Sequence, residues 1–248
     1  MGASKQLLKD LSKLKMDKFR KVQNKFIVEG DKLVIEAMQT VPKCIIQIFL
    51  TPESKLNSKE LEKFNINEIT TTELEKISTQ KSPQHSIAIL DSTFLSKKIE
   101  SSKIFLACDD IQDPGNFGTI IRTADWFGIN TILASKNTVD VFNQKVIQAS
   151  MGSVFRVNVE YVDLEYWLQN TERRILGAVL NGTSIFDCKV ESDSVVVIGN
   201  EGKGISPEIT ELIHEKITIP SLGKAESLNA AVATGIIIAE LTKTLTNG

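Results

Sequence analysis

VVVIGNEGKGIS (Val195–Ser206) decides the architecture. Four consecutive β-branched residues with no polar alternation read as a strand buried on both faces, and the glycine-rich polar stretch after them reads as the loop at its carboxyl end. Working outward, the apolar pattern recurs in KIFLAC (Lys103–Cys108), TILA (Thr131–Ala134), VFRVNV (Val154–Val159), ILGAVL (Ile175–Leu180) and KITIP (Lys216–Pro220), with helical stretches between. Strand–helix alternation of this kind predicts an α/β fold, a mostly parallel sheet covered by helices.

Upstream the pattern is shorter and more broken. Leu7, Leu8, Leu11 and Leu14 recur at helical spacing, so a basic amphipathic helix opens the chain. FIVEG (Phe26–Gly30) reads as a strand, DKLVIEAMQ (Asp31–Gln39) as a helix with Asp31 at its cap, and CIIQIFL (Cys44–Leu50) as a second strand. Helices around Leu56–Phe64 and Glu73–Ser78 and a strand at Ser86–Leu90 complete a smaller α/β unit. The serine-rich DSTFLSKKIESSK (Asp91–Lys103) reads as a linker, which divides the chain into domains 1–98 and 99–248.

The 248 residues are 42% hydrophobic and 24% charged, an ordinary globular composition that excludes disordered and collagenous classes. No apolar run approaches the roughly 20 residues of a spanning helix, and MGASKQLLKDL lacks a signal peptide's apolar stretch, so a cytoplasmic protein without a membrane segment is expected. Cys44, Cys108 and Cys188 are too scattered for a metal cluster and read as reduced, buried thiols; with only His85 and His214 beside them, no metal site is expected. The net charge of −2 hides an asymmetry. Residues 1–99 carry 17 basic against 12 acidic side chains, and residues 1–25 alone carry eight against two. Such an arm either attracts a polyanion such as RNA or is simply a solvated face.

In open α/β sheets ligands sit beyond the carboxyl ends of the strands, and three such exits here are polar and glycine-rich. The first, DDIQDPGNFGTIIRTADWFG (Asp109–Gly128), turns at Pro114-Gly115 into a helix that Asn116 could cap. Ile120, Ile121, Ala124 and Phe127 form its buried stripe and leave Arg122 on another face, either as a surface ion-pair partner or as a forked clamp on phosphate or ribose. In the second, Val195–Ser206, Gly199, Gly202 and Gly204 permit a plain turn or a close backbone approach to a ligand, with Glu201 as the only carboxylate. Its spacing fits neither a P-loop nor the dinucleotide fingerprint. The third, ITIPSLGKAESLNAAVATGIIIAEL (Ile217–Leu241), leaves a strand at Pro220 and enters a buried, alanine-rich helix near Glu226. Ser227 and Asn229 fall in its first turn, as caps or as contacts to an electronegative ligand group. Other chemistry finds no motif: GxSxG is absent, Met151-Gly152-Ser153 reads as a helix stop, and Trp126 and Trp167 read as core residues.

Taken in order, the three exits resemble the signature motifs of the SpoU (TrmH) branch of SPOUT RNA methyltransferases. Asn116-Phe117-Gly118 with Arg122 is similar to the first motif, IGNEGKGIS (Ile198–Ser206) to the second, and IPSLGKAESLNAAVATG (Ile219–Gly235) to the third. NQKVIQASMGSVFRV (Asn143–Val157) looks like the connecting segment, and the resemblance spans Lys103–Leu245. FIVEGDKLVIEA (Phe26–Ala37) is similar to part of the ribosomal-protein-like substrate domain of rRNA-modifying members.

The resemblance implies a C-terminal trefoil-knotted SPOUT catalytic domain, a rare exception to the rule against knots, preceded by a smaller α/β substrate domain. It further implies a homodimer that uses S-adenosylmethionine, without a metal, to methylate a ribose 2′-hydroxyl. RNA is the implied partner, rRNA ahead of tRNA; a tRNA ribose methyltransferase and a catalytically silent RNA-binding or ribosome-assembly factor are the alternatives. By matching positions, Leu180, Gly182, Gly199, Ile219 and Leu228 would bind the cofactor, and Asn116, Arg122, Glu201, Ser227 and Asn229 would form the catalytic group. Three positions depart from the pattern: Gln144 where proline is common, Gln148 where arginine is common, and Lys203 where an acidic residue is frequent.

Overall fold

The computed structural model describes residues 4–56, 58–80, 82–95, 102–188 and 193–243. Its contacts divide the chain into two compact units, Met1–Lys97 with Phe142–Phe155, and Lys98–Val141 with Arg156–Gly248. Of the expected linker, Asp91 ends a strand and Ser92–Leu95 form a 3-10 turn, while residues 96–101 lie outside the described residues, as does the end of the matched span beyond Lys243.

The first unit holds helices α1 (Lys5–Lys13), α2 (Asp17–Gln23), α3 (Asp31–Thr40), α4 (Ser58–Leu61) and α5 (Thr71–Ile77), and strands β1 (Lys25–Glu29), β2 (Ile45–Leu50), β3 (Ile66–Glu68) and β4 (Ser86–Asp91). The sheet runs β1-β4-β2-β3, antiparallel except for the β2–β3 pair. Leu8, Leu11 and Leu14 pack with Phe49, Leu74 and Ile77 in one core, so the basic arm is anchored by its leucines. Two of its cations are consumed by that anchoring. Arg20 is buried and donates to the Leu14 and Lys15 carbonyls, and Lys15 Nζ donates to the Lys76 and Ser78 carbonyls, caps that satisfy chain ends. Lys9, Lys18 and Lys21 remain exposed. Asp31 does not cap α3: Gly30 does, at φ 98°, and the Asp31 carboxylate instead accepts from Ser54 Oγ and the Lys55 amide.

Residues Phe142–Phe155 add α7 (Gln144–Ser150), capped by Asn143 and ended by Met151 in the left-handed region, which bears out the helix stop. Gln148 Nε2 donates to the Glu29 carbonyl, so that substitution serves packing inside this unit.

The second unit holds β5 (Ile104–Cys108), α6 (Pro114–Trp126), β6 (Thr131–Ser135), β7 (Asn158–Val162), α8 (Leu164–Gln169), β8 (Arg174–Ser184), β9 (Ser194–Ile198), α9 (Pro207–Thr210), β10 (Glu215–Thr218) and α10 (Ala230–Lys243). Its six strands run β10-β8-β9-β5-β6-β7 and every pair is parallel, the arrangement the non-alternating runs require. β5 and β9, at the centre, are buried at every residue. One expectation fails. Trp126 is 84% exposed rather than a core residue, because it closes α6 on the face away from the Ile120, Ile121 and Ala124 stripe. Among the described residues no helix is long and apolar enough to cross a membrane.

Candidate active site

The carboxyl ends of β5, β9 and β10 feed three loops of the second unit, and hydrogen bonds sew these loops together. Asp109 is buried and its carboxylate accepts from the Ser206 amide at 2.8 Å, tying the β5 exit to the β9 exit. Asn200 folds the β9 exit on itself: its Oδ1 accepts from the Gly202 and Lys203 amides, and its backbone pairs with Gly204 in both directions. Its Nδ2 donates to the Asp110 carbonyl at 2.7 Å, a second tie between the two exits.

Glu201, at the tip, receives three donors. Asn116 Nδ2 approaches at 2.9 Å, and the Asp113 and Gln112 amides at 3.3 and 3.4 Å. Asn116 Oδ1 in turn accepts from Asn229 Nδ2 at 2.7 Å, and Asn229 Oδ1 accepts from the Ala231 and Val232 amides. A carboxylate only accepts and amide N–H groups only donate, so both asparagine orientations are fixed from the two ends. The result is a directed chain from the N-terminus of α10 through Asn229 and Asn116 to Glu201.

Two adjoining clefts open on this chain. The larger, about 1170 Å³, is lined by Leu180, Gly199, Ile219 and Leu228 together with Ile198 and Leu222. Leu180, Leu222 and Leu228 are all exposed there, an apolar lining without a protein partner, as a ligand site would have. The smaller cleft, about 550 Å³, is lined by Gln112, Asp113, Asn116, Glu201, Ser227, Leu228, Asn229 and Ala230. Glu201, Ser227, Leu228 and Ala230 border both.

Of the residues expected from sequence, the structure brings Asn116, Glu201, Ser227 and Asn229 to the polar cleft, and Leu180, Gly199, Ile219 and Leu228 to the apolar one. Gly182 lines neither: a Cβ there would lie 2.5 Å from the Lys216 carbonyl oxygen, so it permits the close pairing of β8 with β10. Arg122 is exposed on α6, lines neither cleft and has no hydrogen bond or ion pair among the described residues. Two local readings shift. Asp113 rather than Asn116 caps α6, and α10 begins at Ala230 with Asn229 as its capping side chain, leaving Ser227 in the preceding loop. Sequence reasoning missed Asp113, Gln112, Asn200 and Leu222. Asp113 had a readable signal, an acidic residue just ahead of Pro114, the N-cap and first-position pair. Cys108, wholly buried behind Asp109, has its thiol pushed up to about 12 by desolvation, with Glu201 and Asp109 adding to it, so it is inert rather than catalytic.

An all-parallel sheet with two adjoining clefts at its strand exits is the arrangement in which open α/β folds bind their ligands. The profile of the SpoU rRNA methylase family matches residues 103–239, more than half of the chain, and the chain belongs to that family. Residues 5–88 match the MRM3-like substrate binding domain. Among relatives, the 23S rRNA (guanosine(2553)-2′-O)-methyltransferase RlmP of Bacillus subtilis is 29% identical over 97% of both chains. An AdoMet-bound rRNA methyltransferase from Sinorhizobium meliloti is 28% identical with TM-score 0.86, over 99% of this chain and 97% of the other. The SpoU methyltransferase AviRb from Streptomyces viridochromogenes, 22% identical, shares the fold at TM-score 0.86 over 99% of this chain and all of its own.

Proposed function

We infer that this chain transfers the methyl group of S-adenosylmethionine to a ribose 2′-hydroxyl of RNA, with ribosomal RNA as substrate. The directed chain Asn229–Asn116–Glu201, at the border of the two clefts, carries the reading. The names of the Bacillus subtilis and Sinorhizobium meliloti relatives support both the acceptor and the cofactor.

The larger cleft fits an adenosyl group: leucine side chains offer apolar contact to a purine, and the strand-exit backbone offers the polar groups a ribose needs. Leu180, Gly199, Ile219 and Leu228 would hold the cofactor, and Gly182 serves it indirectly through the β8–β10 pairing. When bound, S-adenosylmethionine supplies an electrophilic methyl group on a sulfonium.

The polar cleft orients the acceptor. Ser227 and the unused hydrogens of the Asn116 and Asn229 amides meet the ribose hydroxyl, and Glu201 keeps Asn116 from turning. A ribose hydroxyl is a weak nucleophile, so holding its oxygen in line and compensating the charge that develops as its proton leaves are the main contributions. The lining of this cleft contains two carboxylates and no cation. Arg122 carries a permanent forked charge suited to a developing alkoxide and its neighbouring phosphate, yet it projects from α6 outside both clefts. We therefore assign it to the site of a second copy in a homodimer. Support comes from the exposed apolar residues Trp126 on α6 and Val232 on α10, two helices that pack together.

The same reading assigns residues 1–98 to RNA binding and 99–248 to catalysis, in the cytoplasm. It includes a trefoil knot, a reading supported by the return of the chain from edge strand β10 toward α10, which packs on α6. The experiment is methyl transfer from tritiated S-adenosylmethionine to unmodified transcripts of 23S rRNA, 16S rRNA and tRNA, with nuclease mapping of the product. Label in a 2′-O-methylnucleotide of rRNA is expected. Label only in tRNA overturns the substrate, and none in any RNA overturns the activity.

A further inference from the structure

Gln112 enters the site above only through its backbone amide and its place at the rim of the polar cleft, yet its side chain is held from two directions. Its Nε2 donates to Asp110 Oδ1 at 2.5 Å and to the Asn137 carbonyl at 2.6 Å. Both partners only accept, so both hydrogens are engaged and the amide has one orientation. Asp110 sits at φ 57°, a conformation that a non-glycine residue keeps only where its surroundings over-determine it. They do so here. The Asp110 amide donates to Ser135 Oγ at 2.9 Å, and its carbonyl accepts from Asn200.

The loop after β6 forms a bed beneath this stretch. Thr138 Oγ1 donates to the Cys108 carbonyl and the Val139 amide to the Ile111 carbonyl, at 3.1 and 2.9 Å. What the bed delivers is two amide N–H groups, those of Gln112 and Asp113, onto the two oxygens of Glu201.

We propose that Gln112, clamped on Asp110 and Asn137, is a positioning residue for Glu201. The clamp holds the Gln112 and Asp113 amides where they fix the carboxylate that ends the Asn229–Asn116 chain. Neither the family match nor the relatives assign a role to Gln112, Asp110 or Asn137. The proposal rests on the reading of that chain as the ribose site.

The test compares Gln112→Met, which removes both donors at similar size, with Gln112→Lys, whose ammonium can still donate to both acceptors. Each is made in the natural protein and in Glu201→Gln, and kcat and KM are measured on an unmodified 23S rRNA transcript, with S-adenosylhomocysteine affinity and melting temperature alongside. Gln112→Met should lower kcat on the order of tenfold, the loss expected for releasing a hydrogen-bonded restraint on a charged group, with KM and homocysteine-cofactor affinity nearly unchanged. Gln112→Lys should recover most of that kcat. In Glu201→Gln, the Met substitution should cost far less, because the group it acts through is gone.

The proposal is overturned if Gln112→Met is as active as the natural protein, if Gln112→Lys is as slow as Gln112→Met, or if the loss is the same in both backgrounds. The Lys–Met comparison decides the matter alone should Glu201→Gln be too slow to assay. Natural protein that methylates no RNA overturns the reading of the site itself, a different result from active protein indifferent to Gln112.

Discussion

Replacing Gly199 with alanine tests the β9 exit loop directly. A Cβ built on Gly199 lies 2.3 Å from both Gly204 C and Ile205 N and 2.6 Å from the Gly204 carbonyl oxygen. These are backbone atoms that cannot swing aside, so the loop must open. Opening breaks the reciprocal Asn200–Gly204 bonds of 3.0 and 2.9 Å, each worth about 0.5–1.5 kcal/mol, whereas a loop that stayed closed would carry overpacking of about 1–3 kcal/mol. Either way the cost of about 1–3 kcal/mol corresponds to a fall in melting temperature of roughly 2–12 °C for a chain of this size. Where that cost falls on the apolar cleft, which Gly199–Ile205 line, affinity for S-adenosylhomocysteine should drop on the order of 5- to 150-fold. Scanning calorimetry of the ligand-free protein and titration calorimetry with S-adenosylhomocysteine give the two readings. The first separates two physical causes. A side chain that merely blocked the ligand would spare the free protein, whereas one that opens the loop lowers its melting temperature without any ligand. Unchanged melting of Gly199→Ala would refute the reasoning.

Arg122→Ala should slow methyl transfer on the order of 10²–10³-fold while leaving melting and cofactor affinity intact, and Arg122→Lys should recover only part. Mixing inactive Arg122→Ala with inactive Asn116→Ala should restore some activity if each site takes its arginine from the other copy; near-natural rates for the alanine variant would remove the assignment. Charge reversal of Lys9, Lys18 and Lys21 should weaken RNA binding and flatten its salt dependence, an unchanged slope marking a solvated face, whereas Lys15→Glu should mainly lower the melting temperature because Lys15 caps carbonyls. Because the folded state holds the Cys108 thiol protonated up to about 12, the unfolded chain binds fewer protons than the native one above its ordinary value of 9. Below pH 9 this group should have no effect, and from 9 to 12 it should remove stability by up to about 1.4 kcal/mol per pH unit, a slope that denaturant melts of Cys108→Ala should lack.

The central sheet was legible because burial on both faces leaves a mark in composition. Every residue of β5 and β9 is buried, and both read as unbroken apolar runs. Legibility fades toward the edges. VFRVNV reads as a strand, but Val154 and Phe155 are buried in a 3-10 turn and the pairing begins at Asn158, where the half-exposed edge strand β7 meets β6. The three-residue β3 has too little burial to show a period. Trp126 was misplaced for the opposite reason: composition makes a tryptophan look like core, and only the direction of α6 shows that this one is not.

The site divides along a similar line. Glycines at strand exits and polar residues before a buried helix are local facts, so the three loops could be found one at a time. Their meeting is not local. Asn116 reaches Glu201 across 85 residues of sequence and Asn229 reaches Asn116 across 113; the parallel sheet order sets the β5 and β9 exits side by side, and the return of the chain from edge strand β10 to α10 on α6 brings the third to them. The capping roles follow from the same meeting. Asn229 can cap the start of α10 and still give an amide hydrogen to Asn116 because one side chain has an acceptor for the helix and donors for the neighbour. Asn116 is excused from capping because Asp113 does it, which leaves its own amide free to span Asn229 and Glu201. An aspartate in place of either asparagine would keep the acceptor and lose the donor, and the chain would end there with two carboxyl groups facing each other or an amide facing nothing. The requirement for asparagine at both positions is therefore a property of the chain of hydrogen bonds and not of either helix start.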